Sequence, residues 1–181
     1  DYLLKALPEE VPLGFYECPY PYKRLIADDE IAYAAQTGRF HFLKDTCCDA
    51  ALIRRRLQCI EGTNLRLFNA NTATLLDSLQ HGAAGFSGVM ANFHPELYVW
   101  LCKNWKNEPE RAQVVQAFLT MMSQIEKQLY PVNAKAYLKA QGLPITTYTR
   151  SKNHHEMSPL FLSEVEQLDL LTQWFKKVQN L

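Results

Sequence analysis

Two residues in this chain stand where a reactive side chain would be useful. Tyr16 lies in Gly14-Phe-Tyr-Glu-Cys-Pro19 and Lys44 in Phe40-His-Phe-Leu-Lys-Asp45, each at the end of a short apolar run. An ammonium group that closes a buried strand is costly unless it is neutral, paired or used covalently. Desolvation favours the neutral amine, and a neutral lysine can attack a carbonyl carbon to form a Schiff base. Periodicity alone serves a second account equally well, in which Lys44 forms a buried ion pair with a strand carboxylate such as Glu17. The phenol of Tyr16 can relay protons to such an intermediate if it comes within hydrogen-bond reach, and otherwise reads as core packing.

The elements that must position these groups follow from the hydrophobic pattern. Apolar runs of strand length occur at 12–17, 40–44, 65–69 and 85–90, and between them the segments 28–36, 49–59 and 72–80 carry apolar residues at helical spacing. Gly38, Gly62 and Gly82 stand where each helix would end. Alternation of strands and helices is the signature of βα units around a parallel sheet. From Pro95 onward the pattern is helical, with helices expected at 95–105, 109–129, 133–141 and 159–178. Strand alternation places Phe40, Phe42 and Lys44 on one face and His41, Leu43 and Asp45 on the other. Lys44 is then the last strand residue before Asp45-Thr46 leads away, at the end where parallel barrels carry their active sites.

Composition narrows the chemistry further. The chain has 181 residues, 48% of them hydrophobic, enough for a substantial core, and its 19 basic and 19 acidic residues cancel. A neutral balance gives no general attraction to nucleic acid or anionic membranes, so neither is expected as a partner. No apolar run approaches the about 20 residues of a spanning helix, the first residues lack a charged-then-apolar leader pattern, and a cytoplasmic location is expected. The five cysteines, Cys18, Cys47, Cys48, Cys59 and Cys102, are expected to be mostly buried and reduced. Neither they nor the scattered histidines have metal-ligand spacing, so no metal site is expected. Arg54-Arg55-Arg56 reads as the solvated face of a helix. Glycine patterns that cradle phosphate are absent, and Gly85-Phe-Ser-Gly-Val89 lacks the last glycine of a nucleophile elbow.

Four ordered segments carry a family resemblance. Tyr16-Glu-Cys-Pro19, Phe42-Leu-Lys-Asp-Thr46, Leu67-Phe-Asn-Ala-Asn71 and Gly82-Ala-Ala-Gly-Phe-Ser-Gly-Val-Met-Ala-Asn92 resemble successive motifs of the dihydrodipicolinate synthase and N-acetylneuraminate lyase superfamily of class I, Schiff-base-forming aldolases. The stretch from Tyr16 to Lys44 is similar in length to that family's, and Pro131-Val-Asn-Ala-Lys-Ala-Tyr-Leu138 resembles its C-terminal helix segment. The resemblance implies an α/β fold: the C-terminal half of a (β/α)8 TIM barrel, four parallel βα units over residues 1–107, followed by C-terminal helices over 108–181 packed on the barrel. It implies a lyase in which Lys44 condenses with pyruvate or a related 2-oxo acid and Tyr16 shuttles protons, forming or breaking a carbon-carbon bond to an aldehyde. Ser87, Asn69 and Thr46 would bind substrate. The covalent lysine imine needs no cofactor, and a homo-oligomer, dimer or homotetramer, is implied. Alternatives are a dehydratase or hydratase-aldolase of the same family, or a non-catalytic oligomeric homologue.

Departures from the family pattern shape the expectation. Members that make amino-acid precursors carry an arginine shortly after the tyrosine motif to clamp a second carboxylate, and Pro21 in Tyr20-Pro-Tyr-Lys-Arg24 occupies that place. Lys23 or Arg24 could reach a distal carboxylate or serve as surface charge. The Gly-Thr-Thr-Gly-Glu type loop that binds the 2-oxo acid carboxylate in this family has no counterpart in these 181 residues. A truncated chain, inactive by itself, is expected on that ground.

Overall fold

The computed structural model describes residues 2–181, which divide into two compact units, the first ending at Gly88 and the second beginning at Val89. The first begins with a short helix, α1 (Tyr2–Ala6), and then alternates strands and helices: β1 (Leu13–Tyr16), α2 (Asp28–Gln36), β2 (Phe40–Asp45), α3 (Ala50–Cys59), β3 (Arg66–Asn69), α4 (Leu75–Gln80) and β4 (Gly85–Phe86). The strands form one parallel sheet in the order β1-β2-β3-β4. The expected α/β architecture of four parallel βα units is therefore present.

Local chemistry explains the helices. Asp28, Asp29 and Glu30 fill the first turn of α2, where the helix dipole favours anions, and Glu30 accepts a hydrogen bond from the Ala27 N–H at 3.0 Å. Asp49 caps α3 by accepting from the Leu52 N–H at 3.0 Å. The helices bury one face of the sheet through Ile31, Ala34 and Ala35 of α2 and Ile53 and Leu57 of α3, which meet Leu43, Leu65 and Leu67. Parallel strands covered by helices bury apolar residues in this way.

Two corrections concern the strands. Leu13 pairs with Phe40 but Gly14 pairs with Phe42, so His41 is an extra residue that resets the alternation of β2. Phe40 consequently turns to the helix side, where it is 6% exposed and stacks on Phe15 at 4.4 Å; it does not share a face with Lys44. The opposing position is crowded: a Cβ at Gly14 would stand 3.0 Å from the Phe42 carbonyl oxygen, so a larger residue would have to push the neighbouring strand aside by a few tenths of an ångström. The fourth strand, expected over 85–90, stops at Phe86. A Cβ at Gly88 would come within 2.6 Å of the Ala70 carbonyl oxygen, so the backbone turns tightly there, and Val89–Asn92 form a 3-10 turn.

The second unit is helical: α5 (Pro95–Asn104), α6 (Pro109–Met122), α7 (Val132–Ala140) and α8 (Pro159–Gln179). Pro95, Pro109 and Pro159 each sit in a first turn, where a missing N–H costs nothing. Ser158 caps α8 by accepting from the Phe161 N–H at 3.1 Å. The expected helix over 109–129 ends at Met122 and tightens into a 3-10 turn at Ser123–Lys127. There the Ser123 hydroxyl takes the Thr120 carbonyl and the Asn133 amide takes that of Ile125, competing with α-helical bonding. Leu97, Leu101, Val115, Leu119 and Val132 are fully buried, and Phe118 stacks on Phe175 at 4.0 Å. No helix among the described residues is long and apolar enough to cross a membrane.

Candidate active site

Tyr16 and Lys44 are register partners at the C-terminal ends of β1 and β2, and the row continues through Phe68 of β3 to Gly85 of β4. Their side chains leave the sheet on the face opposite the helices. There the Lys44 Nζ lies 4.5 Å from the centroid of the Tyr16 ring, a cation–π distance when the amine is protonated. Phe42, one alternation below Lys44 on the same face, stacks on Phe68 at 4.9 Å. Tyr16 is 52% exposed and Lys44 half-buried, so both tips are accessible to a small molecule.

Behind these two residues is a polar cluster. Glu17 follows Tyr16 and Asp45 follows Lys44, so alternation turns both carboxylates toward the helices, where each is buried. Between them lies Arg56 of α3, 0% exposed. Its Nη2 donates to Glu17 Oε1 at 2.7 Å and to the Ile26 carbonyl at 2.8 Å; its Nη1 donates to Glu17 Oε2 at 3.0 Å and to Asp45 Oδ2. Burial alone pulls the guanidinium pKa down, but its hydrogen bonds to Glu17 and then to Asp45 outweigh it, and the net direction is upward. The buried ion pair of Glu17 is thus with Arg56 and not with Lys44, which makes no ion pair among the described residues.

Only part of the basic triplet behaves as the sequence suggests. Arg54 pairs with Asp77 and Arg55 with Asp28 at the surface, whereas Arg56 points inward. A signal for this was present: Arg56 lies within the stripe Ile53, Leu57 and Ile60, three residues from the first and four from the last, so helical geometry carries it to the buried face.

The remaining sequence candidates divide. Ser87 follows β4 at the strand tips, half-buried, with its N–H donated to the Asn69 carbonyl at 2.9 Å. Asn69 is 0% exposed on the helix side: its amide donates to Thr74 Oγ1 at 2.9 Å and Ser78 Oγ at 3.1 Å, and its Oδ1 accepts from the Asn71 N–H. Buried Thr46 gives its hydroxyl to the Glu17 carbonyl at 2.7 Å and its N–H to Glu17 Oε2 at 3.0 Å, lashing the end of β2 to the end of β1. The structure therefore gathers Tyr16, Lys44 and Ser87 at one end of the sheet and employs Asn69 and Thr46 in holding that end together.

Nearby features bear on the chemistry. A cavity of about 660 Å³ opens beside β1, lined by Tyr16, Glu17, Tyr22, Arg24 and Tyr33 among others, but Lys44 does not line it. Arg24 is tied to Glu30 at 2.6 Å, and Lys23 is exposed. None of the five cysteines is fully buried, contrary to expectation: Cys18 and Cys48 lie in loops that leave β1 and β2 and are exposed, and the other three are half-buried. All five are free thiols. Burial, reinforced by Asp45, pushes the Cys47 thiol up to about 12, so it is no nucleophile at neutral pH. No group of three or more His, Cys, Asp or Glu side chains among the described residues is arranged to hold a metal ion.

Several solved structures share this fold. The chain is similar to the dihydrodipicolinate synthase of Thermotoga maritima, with 18% identity and a TM-score of 0.78 over 99% of this chain and 59% of that one. It is similar to the 4-hydroxy-tetrahydrodipicolinate synthase of Methylacidiphilum fumariolicum SolV, at 17% identity and a TM-score of 0.80 over 93% of this chain and 56% of that one. A prophage protein of the dihydrodipicolinic acid synthase family from E. coli K12, solved in complex with pyruvate, matches at 22% identity and a TM-score of 0.73 over 91% of this chain and 56% of its own. The chain thus spans less than two thirds of the length of these structures, and its four βα units correspond to part of their TIM barrel. No curated protein sequence matches it. The model of the dihydrodipicolinate synthetase family matches residues 15–160, most of the chain, and the chain belongs to that family.

Proposed function

We propose that the protein is a Schiff-base aldolase or lyase that acts on pyruvate or a related 2-oxo acid and an aldehyde. The observation that carries this reading is the pairing of Tyr16 with Lys44 at the C-terminal ends of adjacent parallel strands, with the amine 4.5 Å from the ring centroid. The pyruvate bound to the E. coli relative supports the substrate class.

In this reading the neutral Lys44 amine attacks the ketone carbon of the 2-oxo acid, and the oxygen leaves as water to give an iminium. The iminium accepts the electron pair released when the bond between its α and β carbons breaks, becoming an enamine, and the enamine returns the pair when that bond forms. Tyr16 carries protons to and from the carbinolamine oxygen and the aldehyde oxygen. Phe42 and Phe68, stacked at 4.9 Å, form an apolar surface on the same face of the sheet. Ser87 stands at the rim, and the lysine imine itself supplies the electron sink, so the proposed cycle uses no further cofactor.

Borohydride reduction of the full-length protein in the presence of pyruvate, followed by peptide mass mapping, tests the proposal. A reduced pyruvyl adduct on Lys44 is the expected result, and no adduct across a panel of 2-oxo acids overturns it. Tyr16→Phe should still form the adduct, more slowly, while turnover falls by about 10²-fold or more, the usual contribution of a positioned proton donor. Full turnover in that variant removes Tyr16 from the proton relay.

A further inference from the structure

Glu17 and Asp45 are each one residue beyond a proposed catalytic group, and Arg56 grips both. We propose that Arg56 is a positioning residue that sets the relative height of Tyr16 and Lys44, and so the rate at which Lys44 captures a 2-oxo acid. This inference rests on the Schiff-base reading and adds to it a residue that touches neither substrate nor either catalytic side chain.

The argument is geometric. Side chains one residue apart on a strand leave opposite faces, so a clamp on Glu17 and Asp45 from behind fixes the backbone from which Tyr16 and Lys44 project in front. Each strand end runs directly into a loop and, beyond the ladder bonds and the Thr46 hydroxyl on the Glu17 carbonyl, depends on side chains to resist sliding and fraying. The clamp counters this with a fork: Arg56 meets both Glu17 oxygens at 2.7 and 3.0 Å while also holding Asp45. Three further bonds tie the same carboxylates to the loops. The Ile26 N–H donates to Glu17 Oε1 at 2.8 Å, the Thr46 N–H to Glu17 Oε2 at 3.0 Å, and the Cys47 N–H to Asp45 Oδ1 at 2.9 Å. A planar guanidinium can satisfy two carboxylates at fixed separation, whereas an ammonium is a single point of charge, so lysine is no substitute for arginine here.

Arg56→Lys is therefore the informative variant, since it keeps the buried charge and removes the fork. Folding, followed by circular dichroism and thermal melting, separates stability from position. In folded Arg56→Lys the maximal rate of borohydride-trapped imine formation should fall by about 10- to 100-fold, the effect of a displacement near 1 Å, while half-saturating pyruvate changes little. A residue that serves stability alone would lower the melting temperature and leave the trapping rate intact, and that result overturns the proposal. If Arg56→Lys fails to fold, Glu17→Gln is read in the same way: it preserves size and lightens the charge on the clamp, a slower maximal rate is expected, and wild-type trapping in the folded variant overturns the proposal. Reductive methylation of Lys44 by formaldehyde, mapped by mass spectrometry, needs no 2-oxo acid. If the wild type traps no 2-oxo acid, the Schiff-base reading fails, and an unchanged Lys44 methylation rate in the variant defeats the positioning claim separately.

Discussion

Arg56 in the first unit and His94 in the second are both 0% exposed, yet the chain accommodates them by opposite means. Arg56 is surrounded by acceptors: four oxygens from Glu17, Asp45 and Ile26 take its Nη hydrogens, although its Nε has no partner among the described residues. His94 sits among rings, 5.8 Å from Tyr98 and 6.1 Å from Phe118, with Nδ1 3.3 Å from the Thr172 hydroxyl and no partner for Nε2 among the described residues. A guanidinium cannot shed its charge, so burying it demands carboxylates. An imidazole can, so apolar walls suffice and burial holds its pKa down to about 4. One region therefore stores its stability in charge pairing and the other in neutrality, and substitution and acid should damage them differently.

The largest effect is expected from removing the charge without its partners. Arg56→Met leaves Glu17 and Asp45 buried and facing one another, and breaking a buried pair in this way typically costs about 3–5 kcal/mol. Urea denaturation at pH 7 measures it. Adding Glu17→Gln to Arg56→Met should recover part of the loss, because one of the stranded carboxylates becomes neutral. A loss below about 1 kcal/mol in the single variant would mean that the cluster relaxes or admits water and that pairing is not what stabilises the region.

Acid probes the other region. The folded pKa of His94, about 4, lies below its ordinary value of 6.5, so the unfolded chain binds a proton between these values while the folded chain does not. Stability contributed by neutral His94 is complete above pH 6.5 and is lost as pH falls toward 4, by about 3 kcal/mol in full. Glu96, which favours the protonated ring, and Lys176, which opposes it, pair with each other at 2.7 Å and act on the ring in opposite directions. Burial raises Glu126 in the same unit to about 7, with the opposite sign: its contribution is present below pH 4.5 and is lost as pH rises through 7. The test is therefore a difference, in which His94→Gln should lack the acid loss that the wild type shows between pH 6.5 and 4. Parallel curves for the two proteins would mean that His94 is not held neutral.

The same contrast explains what could be read from the residues in order. The four βα units, the helix starts at acidic or proline residues and the strand-end placement of Tyr16 and Lys44 follow from local pattern, because period and capping act over a few residues. The reset at His41 does not, since it arises where Gly14 of another strand lies against Phe42. Arg56 was hidden for a related reason. Its neighbours Arg54 and Arg55 suggest a wet face, and only the joint facts that Glu17 and Asp45 point backward and that Arg56 shares a stripe with Ile53 and Ile60 place it inside. Asn69 and Thr46 show the limit from the other side: motif resemblance associates them with substrate, while their hydrogen bonds commit them to Thr74, Ser78 and Glu17.

The smallest effect separates the clamp from the helix that carries it. Asp49→Ala removes the acceptor for the Leu52 N–H at the start of α3 and should cost about 1 kcal/mol, the usual value of a side-chain cap. Arg56 lies nearly two turns farther along, beyond the reach of fraying in the first turn. If Glu17 and Asp45 hold Arg56, imine trapping on Lys44 in Asp49→Ala should match the wild type despite the lowered melting temperature. A trapping rate that falls in step with stability would instead mean that the position of Arg56 depends on the integrity of α3 as a whole, and the sharp division between pairing and scaffold in the first unit would dissolve.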